Sequence, residues 1–276
     1  MTVTKKAVIL ARGLGTRMQR ADADVRLDPE RAGLAERGLK VLMGLHGRPM
    51  LDYAVDSLIK AGMQSVCLVI APDADEMRRH ARRLSEHSGA FVTCAVQDEP
   101  RGTADAVLAA ESFAGADPFL VCNGDDLYPV EAMAELARLN GDECWVAAFD
   151  RNALSADGNI APERVKDLAV VTARADGELL RIVEKPSDPD SHAVDGRVWV
   201  NMNLYRFTPA VFAACRGIEP HPRRGEYELT AAVEHLRASA PGGFRVLFCK
   251  GGVLDMTSRG DVATAERALE GRQLGF

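Results

Sequence analysis

The sequence predicts an α/β protein with a Rossmann-like three-layer fold, a mostly parallel mixed central sheet and a further lobe of closer strands in its second half. Three observations predict it. Short apolar runs alternate with helix-patterned segments from Ala7 to Asn123, the order of a parallel sheet with crossover helices. The first run ends in a glycine-rich turn, and after about Asn140 the apolar runs come closer together without helical spacers. No Pro/Gly-rich linker divides the 276 residues, so residues 1–276 are expected to form a single domain.

Ala7 to Ala11 reads as the first central strand, leading into Arg12-Gly13-Leu14-Gly15-Thr16-Arg17. From 19 to 38 the chain is charged and aperiodic, which predicts an excursion, either an ordered lid or a mobile loop, and if it is only a solvated loop Asp22→Asn should have little effect. Pro49 opens a helix whose apolar Leu51, Ala54, Val55, Leu58 and Ile59 recur at helical spacing until Gly62. Strand SVCLVIA, a charged helix from Asp75 to His87, strand FVTCAV, a helix from Thr103 to Phe113 and strand PFLVCN follow. After a helix from Val130 to Asn140, the strands CWVAAF, LAVVTA, LLRIVEK and RVWVNMNLYRF build the second-half portion, residues 143–257, which shares the main core. Helices over Glu226 to Ala238 and Arg259 to Leu269 flank a last strand, FRVLFCK.

Composition narrows the function. With 34 basic against 40 acidic residues, a net charge of -6 and only 5% aromatics, neither a phosphate-tracking stripe nor a base-stacking platform is present, so nucleic acid is not an expected partner. Six cysteines are widely spaced in apolar runs, which predicts buried free thiols and a reducing cytoplasm. No long apolar stretch predicts a membrane partner.

The turn after the first strand allows two readings: a plain surface turn, or a phosphate cradle in which Gly13 and Gly15 bring backbone N–H groups close and Arg17 adds charge. It is neither a dinucleotide fingerprint, since Met18 stands where a third glycine would be, nor a Walker A loop. Asp125 and Asp126 follow the apolar run Phe119–Asn123, at the strand edge where parallel-sheet sites form.

Together these motifs resemble the nucleotidyltransferase superfamily, which includes sugar-phosphate nucleotidyltransferases and the pyrophosphorylase domain of N-acetylglucosamine-1-phosphate uridylyltransferase. Leu10-Ala11-Arg12-Gly13-Leu14-Gly15-Thr16-Arg17-Met18 is similar to the family's opening pattern, with Arg12 where the family has Ala or Gly. The resemblance implies nucleotide binding by Leu10, Ala11, Gly13, Gly15, Thr16 and Arg17, with Gln97, Gly102 and Thr103 of Gln-Asp-Glu-Pro-Arg-Gly-Thr-Ala lining the base. Lys40, in Gly38-Leu39-Lys40, resembles the family lysine that with Arg17 steadies phosphate charge. Asp125 and, from Gly251-Gly252-Val253-Leu254-Asp255, the late acid Asp255 resemble the family's magnesium ligands. For the acceptor, the resemblance implies Asp126, Glu184, Lys185, Asn201 and Glu226, with Asn203 in place of the usual glycine, so residues 143–257 are the expected acceptor-binding portion.

The implied reaction is magnesium-dependent transfer of a nucleoside monophosphate unit from a nucleoside triphosphate to a sugar 1-phosphate, with Arg17, Lys40 and Asp125 at its centre and pyrophosphate released. A phospho-alcohol such as phosphocholine is the alternative acceptor. A catalytically silent nucleotide-binding protein is the rival reading, prompted by Arg12, Asn203 and the charged excursion.

Overall fold

The computed structural model describes residues 3–13, 15–19, 27–240 and 242–276. Leu14 and Asp22, both named above, lie outside them.

In chain order, the first half holds β1 (Lys6–Leu10), α1 (Thr16–Gln19), α2 (Pro29–Glu36), β2 (Gly44–Leu45), β3 (Arg48–Pro49), α3 (Met50–Lys60), β4 (Ser65–Ile70) and α4 (Asp75–His87). β5 (Phe91–Val96), α5 (Thr103–Ala109), α6 (Glu111–Ala114), β6 (Phe119–Asn123), β7 (Asp126–Leu127) and α7 (Val130–Arg138) come next. The second half adds β8 (Cys144–Asp150), α8 (Arg151–Ala156), α9 (Pro162–Val165), β9 (Val170–Ala173), β10 (Leu179–Val183) and β11 (Trp199–Phe207). It closes with α10 (Ala210–Arg216), α11 (Leu229–Ser239), β12 (Phe244–Cys249), β13 (Leu254–Asp255) and α12 (Arg259–Ala268).

Nine strands form one mixed sheet. Its path runs β10-β9-β11-β6-β1-β4-β5, with β8 lying along β11 and β12 along β8. β6, β1, β4 and β5 are parallel, as are β8 and β12, whereas β11 is antiparallel to β6, β8 and β9. β11 therefore joins the second-half strands to the first-half sheet.

Alternate residues of the central strands enter opposite cores, as the period of two requires. Ala7 and Ile9 of β1 join Leu120 and Cys122 of β6 under α3, α4, α7 and α12, while Val8, Phe119 and Val121 face α5, α10 and α11. Strands buried on both faces read as unbroken apolar runs, and this is why they were legible in the sequence. All six cysteines are free, five of them buried.

The charged stretch 19–38 differs from the expected excursion in its second half. Asp28 accepts a hydrogen bond from Arg31 N at 2.9 Å and Pro29 takes the first helical position, which starts α2. Leu34 and Ala35 are buried against the core, so two apolar residues among charges suffice to dock this eight-residue helix. The expected single helix from Thr103 to Phe113 is also interrupted, at Ala110 between α5 and α6.

Topology then selects one edge of the sheet. From β1 the chain moves outward through β4 to β5, then returns to place β6 on the other side of β1. The carboxyl ends of β1 and β6 therefore flank a topological switch point, the crevice where open α/β sheets bind ligands.

Candidate active site

The turn after β1 and the acidic turn after β6 meet at this switch point. Leu10 is in register with Asn123, and Gly124 N donates to Leu10 O at 3.0 Å. Gly124 has no room for a side chain: an added Cβ would lie 3.2 Å from Ile9, Leu10 and Val41 atoms. This close crossing carries Asp125 out beside the glycine turn.

Asp255 reaches the same place through the short ribbon of β7 and β13. Asp126 is in register with Asp255, and Met256 N donates to Asp125 O at 2.9 Å. Two carboxylates 130 positions apart in sequence are thus neighbours. Their mutual charge is felt: burial first, and then Asp125, raise the Asp255 pKa above the ordinary carboxylate value, while Arg164 and Thr257 oppose the rise.

Lys40 stands across from them. It begins a short 3₁₀ turn, Lys40–Leu42, and is itself only 9% exposed, so it is not a free loop lysine. Its stem packs 3.7 Å from where a Gly15 side chain would begin, and its Nζ donates to Asp125 Oδ2. Burial disfavours its charge, yet Asp125, Asp255 and Asp126 together hold its pKa above the usual lysine value. Lys40 is a committed cation.

A cleft of about 410 Å³ opens in front of this cluster. Leu10, Arg12, Gly13, Gly15 and Thr16 form one wall, and Gln97, Gly102 and Thr103 a second. Asn203 and Glu226 face them, with Asn123 and Asp125 at the base. A recess of about 50 Å³ behind the turn connects Ala11 and Gly13 to Lys40 and Asp125. The expected nucleotide residues Leu10, Ala11, Gly13, Gly15, Thr16, Gln97, Gly102 and Thr103 are therefore gathered here. Arg17 is exposed on α1 and makes no hydrogen bond or ion pair with another described residue.

The second wall is built by an unexpected contact. Gly102 has φ +114°, and an added Cβ would fall 2.5 Å from Tyr227 O, so the glycine admits the Tyr227 backbone. Tyr227 N donates to Arg101 O at 2.7 Å, and Thr103 Oγ1 accepts from Leu229 N at 2.9 Å. These bonds dock the start of α11 and hold Glu226 over the cleft. Gln97 is 4% exposed, and its Nε2 donates to Gly102 O at 3.0 Å and Asp105 Oδ2 at 2.7 Å. Its amide oxygen takes no hydrogen bond from a described residue.

Arg12 fills the space that a smaller residue would leave open. Its Nη2 donates to Asp98 O at 3.0 Å, and its Nε is buried without a partner. Arg12 also lines a neighbouring hollow of about 660 Å³ along the start of α4, so it forms a wall common to both spaces.

Four expected acceptor residues sit elsewhere. Asp126 is 4% exposed and faces inward, accepting from Asn123 Nδ2 at 2.9 Å and Tyr128 OH at 3.1 Å. Burial, then Asp125 and Asp255, push its pKa well above the carboxylate range, so it supports the cluster from behind. Asn201 is also buried: Nδ2 donates to Tyr205 OH at 2.8 Å and to Asn203 Oδ1 at 3.2 Å, and its oxygen accepts Asn203 N at 2.9 Å. This internal bonding stabilises a register break in β11 and gives Asn203 a φ of +57°, so Asn203, not Asn201, forms the cleft wall. Glu184 and Lys185 are exposed beyond β10 and outside the cleft lining. Glu226, by contrast, lines the cleft and does not cap α11, whose N-cap position is Glu228.

Two supporting residues carried no sequence signal. Arg164 of α9 donates to Asp255 Oδ1 and Asp261 Oδ1, each at 2.8 Å. Asn159 binds the Asp255 backbone on both sides, Oδ1 accepting from Asp255 N at 2.7 Å and Nδ2 donating to Asp255 O at 2.8 Å. Neither belongs to a local motif, and only the tertiary fold brings residues 159 and 164 to 255.

The nucleotidyl transferase family profile matches residues 6–242, most of the chain, and ends before β12, β13 and α12. The chain belongs to the nucleotidyl transferase family. This nucleotidyltransferase is 27% identical over 231 residues to the UTP–glucose-1-phosphate uridylyltransferase AglF of Haloferax volcanii, covering 84% of this chain and 83% of that protein. It is 30% identical over 234 residues to a glucose-1-phosphate thymidylyltransferase of Streptomyces antibioticus, covering 84% of this chain but 57% of that one. It is 32% identical over 234 residues to the bifunctional protein GlmU of Pelotomaculum thermopropionicum, covering 83% of this chain and 44% of that protein. A crystal structure of UDP-glucose pyrophosphorylase with UDP-glucose shares the fold at TM-score 0.73 and 20% identity, over 98% of this chain and 100% of that one. Among the described residues of the nucleotidyltransferase, no helix is long and apolar enough to cross a membrane.

Proposed function

We propose that this nucleotidyltransferase joins the nucleoside monophosphate unit of a nucleoside triphosphate to a sugar 1-phosphate and releases pyrophosphate. The observation that carries the reading is the convergence of Lys40 and Asp255 on Asp125 at the switch point, where Asp125 also lines the cleft whose opposite wall is Asn203 and Glu226. Relatives named for uridylyl and thymidylyl transfer to glucose 1-phosphate support the substrate class.

The donor set fits magnesium. Asp125 Oδ1 has no protein partner among the described residues, and Asp255 Oδ2 has one, Thr257 Oγ1 at 2.9 Å, so both carboxylates keep oxygen lone pairs for a hard cation. Two protein carboxylates suit an ion that retains water and phosphate ligands. Magnesium held by Asp125 and Asp255 would supply Lewis-acid stabilisation of phosphate charge.

The chain's own contribution is orientation and charge. Gly13 and Gly15 leave the backbone of the turn open to phosphate oxygens, and Lys40, kept cationic by three carboxylates, adds a fixed positive charge. Arg17 on exposed α1 offers a second cation at the mouth. An anionic oxygen of the acceptor phosphate attacks the α-phosphorus. A new O–P bond forms, the bond between the α-phosphorus and the bridging oxygen breaks, and its electron pair leaves with pyrophosphate. The acceptor supplies its own nucleophile, so no side-chain nucleophile or general base is required. Glu226 and Asn203 bring acceptor and donor groups to the sugar side.

Among the described residues no aromatic side chain lines the cleft, which offers no aromatic cage to a quaternary ammonium group and disfavours a phosphocholine acceptor. A crossed panel of nucleoside triphosphates and phosphorylated acceptors, read by pyrophosphate release with and without magnesium, tests the proposal. Release is expected only with magnesium and a sugar 1-phosphate. Equal release without an acceptor, or none with any pair, contradicts it.

A further inference from the structure

We propose that Arg164 is a positioning residue for transfer, aiming the Asp255 carboxylate at the reaction centre while touching no substrate itself; this rests on the proposed function. Asp255 is inherently hard to hold. It sits beside Asp125 and Asp126, and three carboxylates in a poorly hydrated corner repel one another, so an untethered Asp255 side chain would swing outward.

The segment 158–164 is shaped to prevent that swing. Its backbone lies directly against the strand approach to Asp255: a Cβ on Gly158 would meet Val253 O at 2.4 Å, and one on Gly252 would meet Gly158 N at 2.2 Å. Glycine at both positions permits a contact that no side chain would tolerate. Asn159 then fixes the Asp255 backbone through two hydrogen bonds, and Arg164 holds the carboxylate from one side while Thr257 N and Oγ1 donate to its two oxygens at 2.8 and 2.9 Å.

The planar guanidinium is suited to this task. Nη2 binds Asp255 while Nη1 binds Asp261, whose other oxygen accepts from Ser258 N at 2.6 Å and Thr257 N at 3.1 Å at the start of α12. Arg164 is therefore held at both ends, with its orientation set by a helix start that is itself tied down. Arg259 from the same turn donates to Met18 O at 3.0 Å and Gln19 O at 3.3 Å, so this framework also reaches the phosphate turn. The arginine lies outside the cleft lining, behind Asp255, and its influence is transmitted through that carboxylate.

The test compares Arg164→Met and Arg164→Lys with wild type in three readouts: kcat and KM, the magnesium concentration for half-maximal rate, and Mn2+ binding to the nucleotide-free protein by water-proton relaxation. Removing an outer partner of a metal carboxylate is expected to lower kcat by about 10–100-fold and weaken Mn2+ binding, with KM for the nucleotide near wild type. Lysine keeps the charge but cannot bridge two carboxylates in a fixed plane, so Arg164→Lys should recover only part of the loss. Arg164→Gln serves in place of Arg164→Met if the latter does not fold. Unchanged kcat, magnesium dependence and Mn2+ binding in a folded variant overturn the proposal, as does a lower melting temperature with those three intact. If wild type shows no transfer, the proposed function fails, and Mn2+ binding alone decides Arg164: weaker binding in the variant supports the positioning role, whereas equal binding or none in wild type overturns it.

Discussion

Arg12 and Asp126 show how single side chains set the character of the site. Arg12 makes one charge-assisted hydrogen bond to Asp98 O but buries an unpartnered Nε, so the gain and the cost nearly cancel. Arg12→Ala is accordingly expected to change stability by less than about 1 kcal/mol in denaturant unfolding. It would also remove the wall between the cleft and the larger hollow, raising KM for the nucleoside triphosphate with kcat near wild type. A large stability loss, or a kcat loss with normal KM, would mean that Arg12 is a scaffold or reaction-centre residue instead. Asp126 is the clearest case of a charge held where it is unwelcome. Its pKa is raised by burial, Asp125 and Asp255, so the folded state binds a proton more tightly than the unfolded chain. Stability of the metal-free protein should therefore fall as pH rises from the ordinary carboxylate range through the raised folded value. Asp126→Asn should flatten that slope in unfolding measurements across pH; an unchanged slope would locate the pH dependence elsewhere.

Among the elements, the contact between the Gly102 turn and the start of α11 organises the cleft wall that carries Glu226. Gly102→Ala forces a side chain into φ +114° and against the Tyr227 backbone. It should cost about 1–3 kcal/mol and, by displacing Glu226, raise KM for the acceptor more than for the nucleotide. Wild-type stability would show that the Tyr227 approach is easily relaxed. The elements also show what a sequence can and cannot disclose. Strands such as Phe119–Asn123, buried on both faces, are uniform apolar runs, and glycine turns mark their ends, so the sheet and the edge that carries the cleft were readable. The short α2 was obscured because only Leu34 and Ala35 are buried in a charged stretch. The acceptor side was least legible: Asn201 and Asn203 are adjacent on alternating positions, and only the bulge in β11 decides that Asn203 faces the cleft. Arg164 and Asn159 could not be found at all by local pattern, since their partners lie 91 and 96 residues away.

For the whole molecule, one sheet with a switch point at β1 and β6 gathers groups from five separate stretches of chain into a single cleft. The second-half strands are continuous with that sheet through β11, which fixes the Asn203 wall of the cleft relative to the glycine turn after β1. The proposed function requires that Asp125 and Asp255 act together at the reaction centre. It is tested most directly by following label from the α-phosphate of a nucleoside triphosphate in wild type, Asp125→Asn and Asp255→Asn, each checked for folding. Wild type should place the label in a sugar nucleotide, one for each pyrophosphate released, and both folded variants should lose this transfer. Label appearing only in nucleoside monophosphate, or wild-type transfer in both variants with unchanged magnesium dependence, would contradict the account.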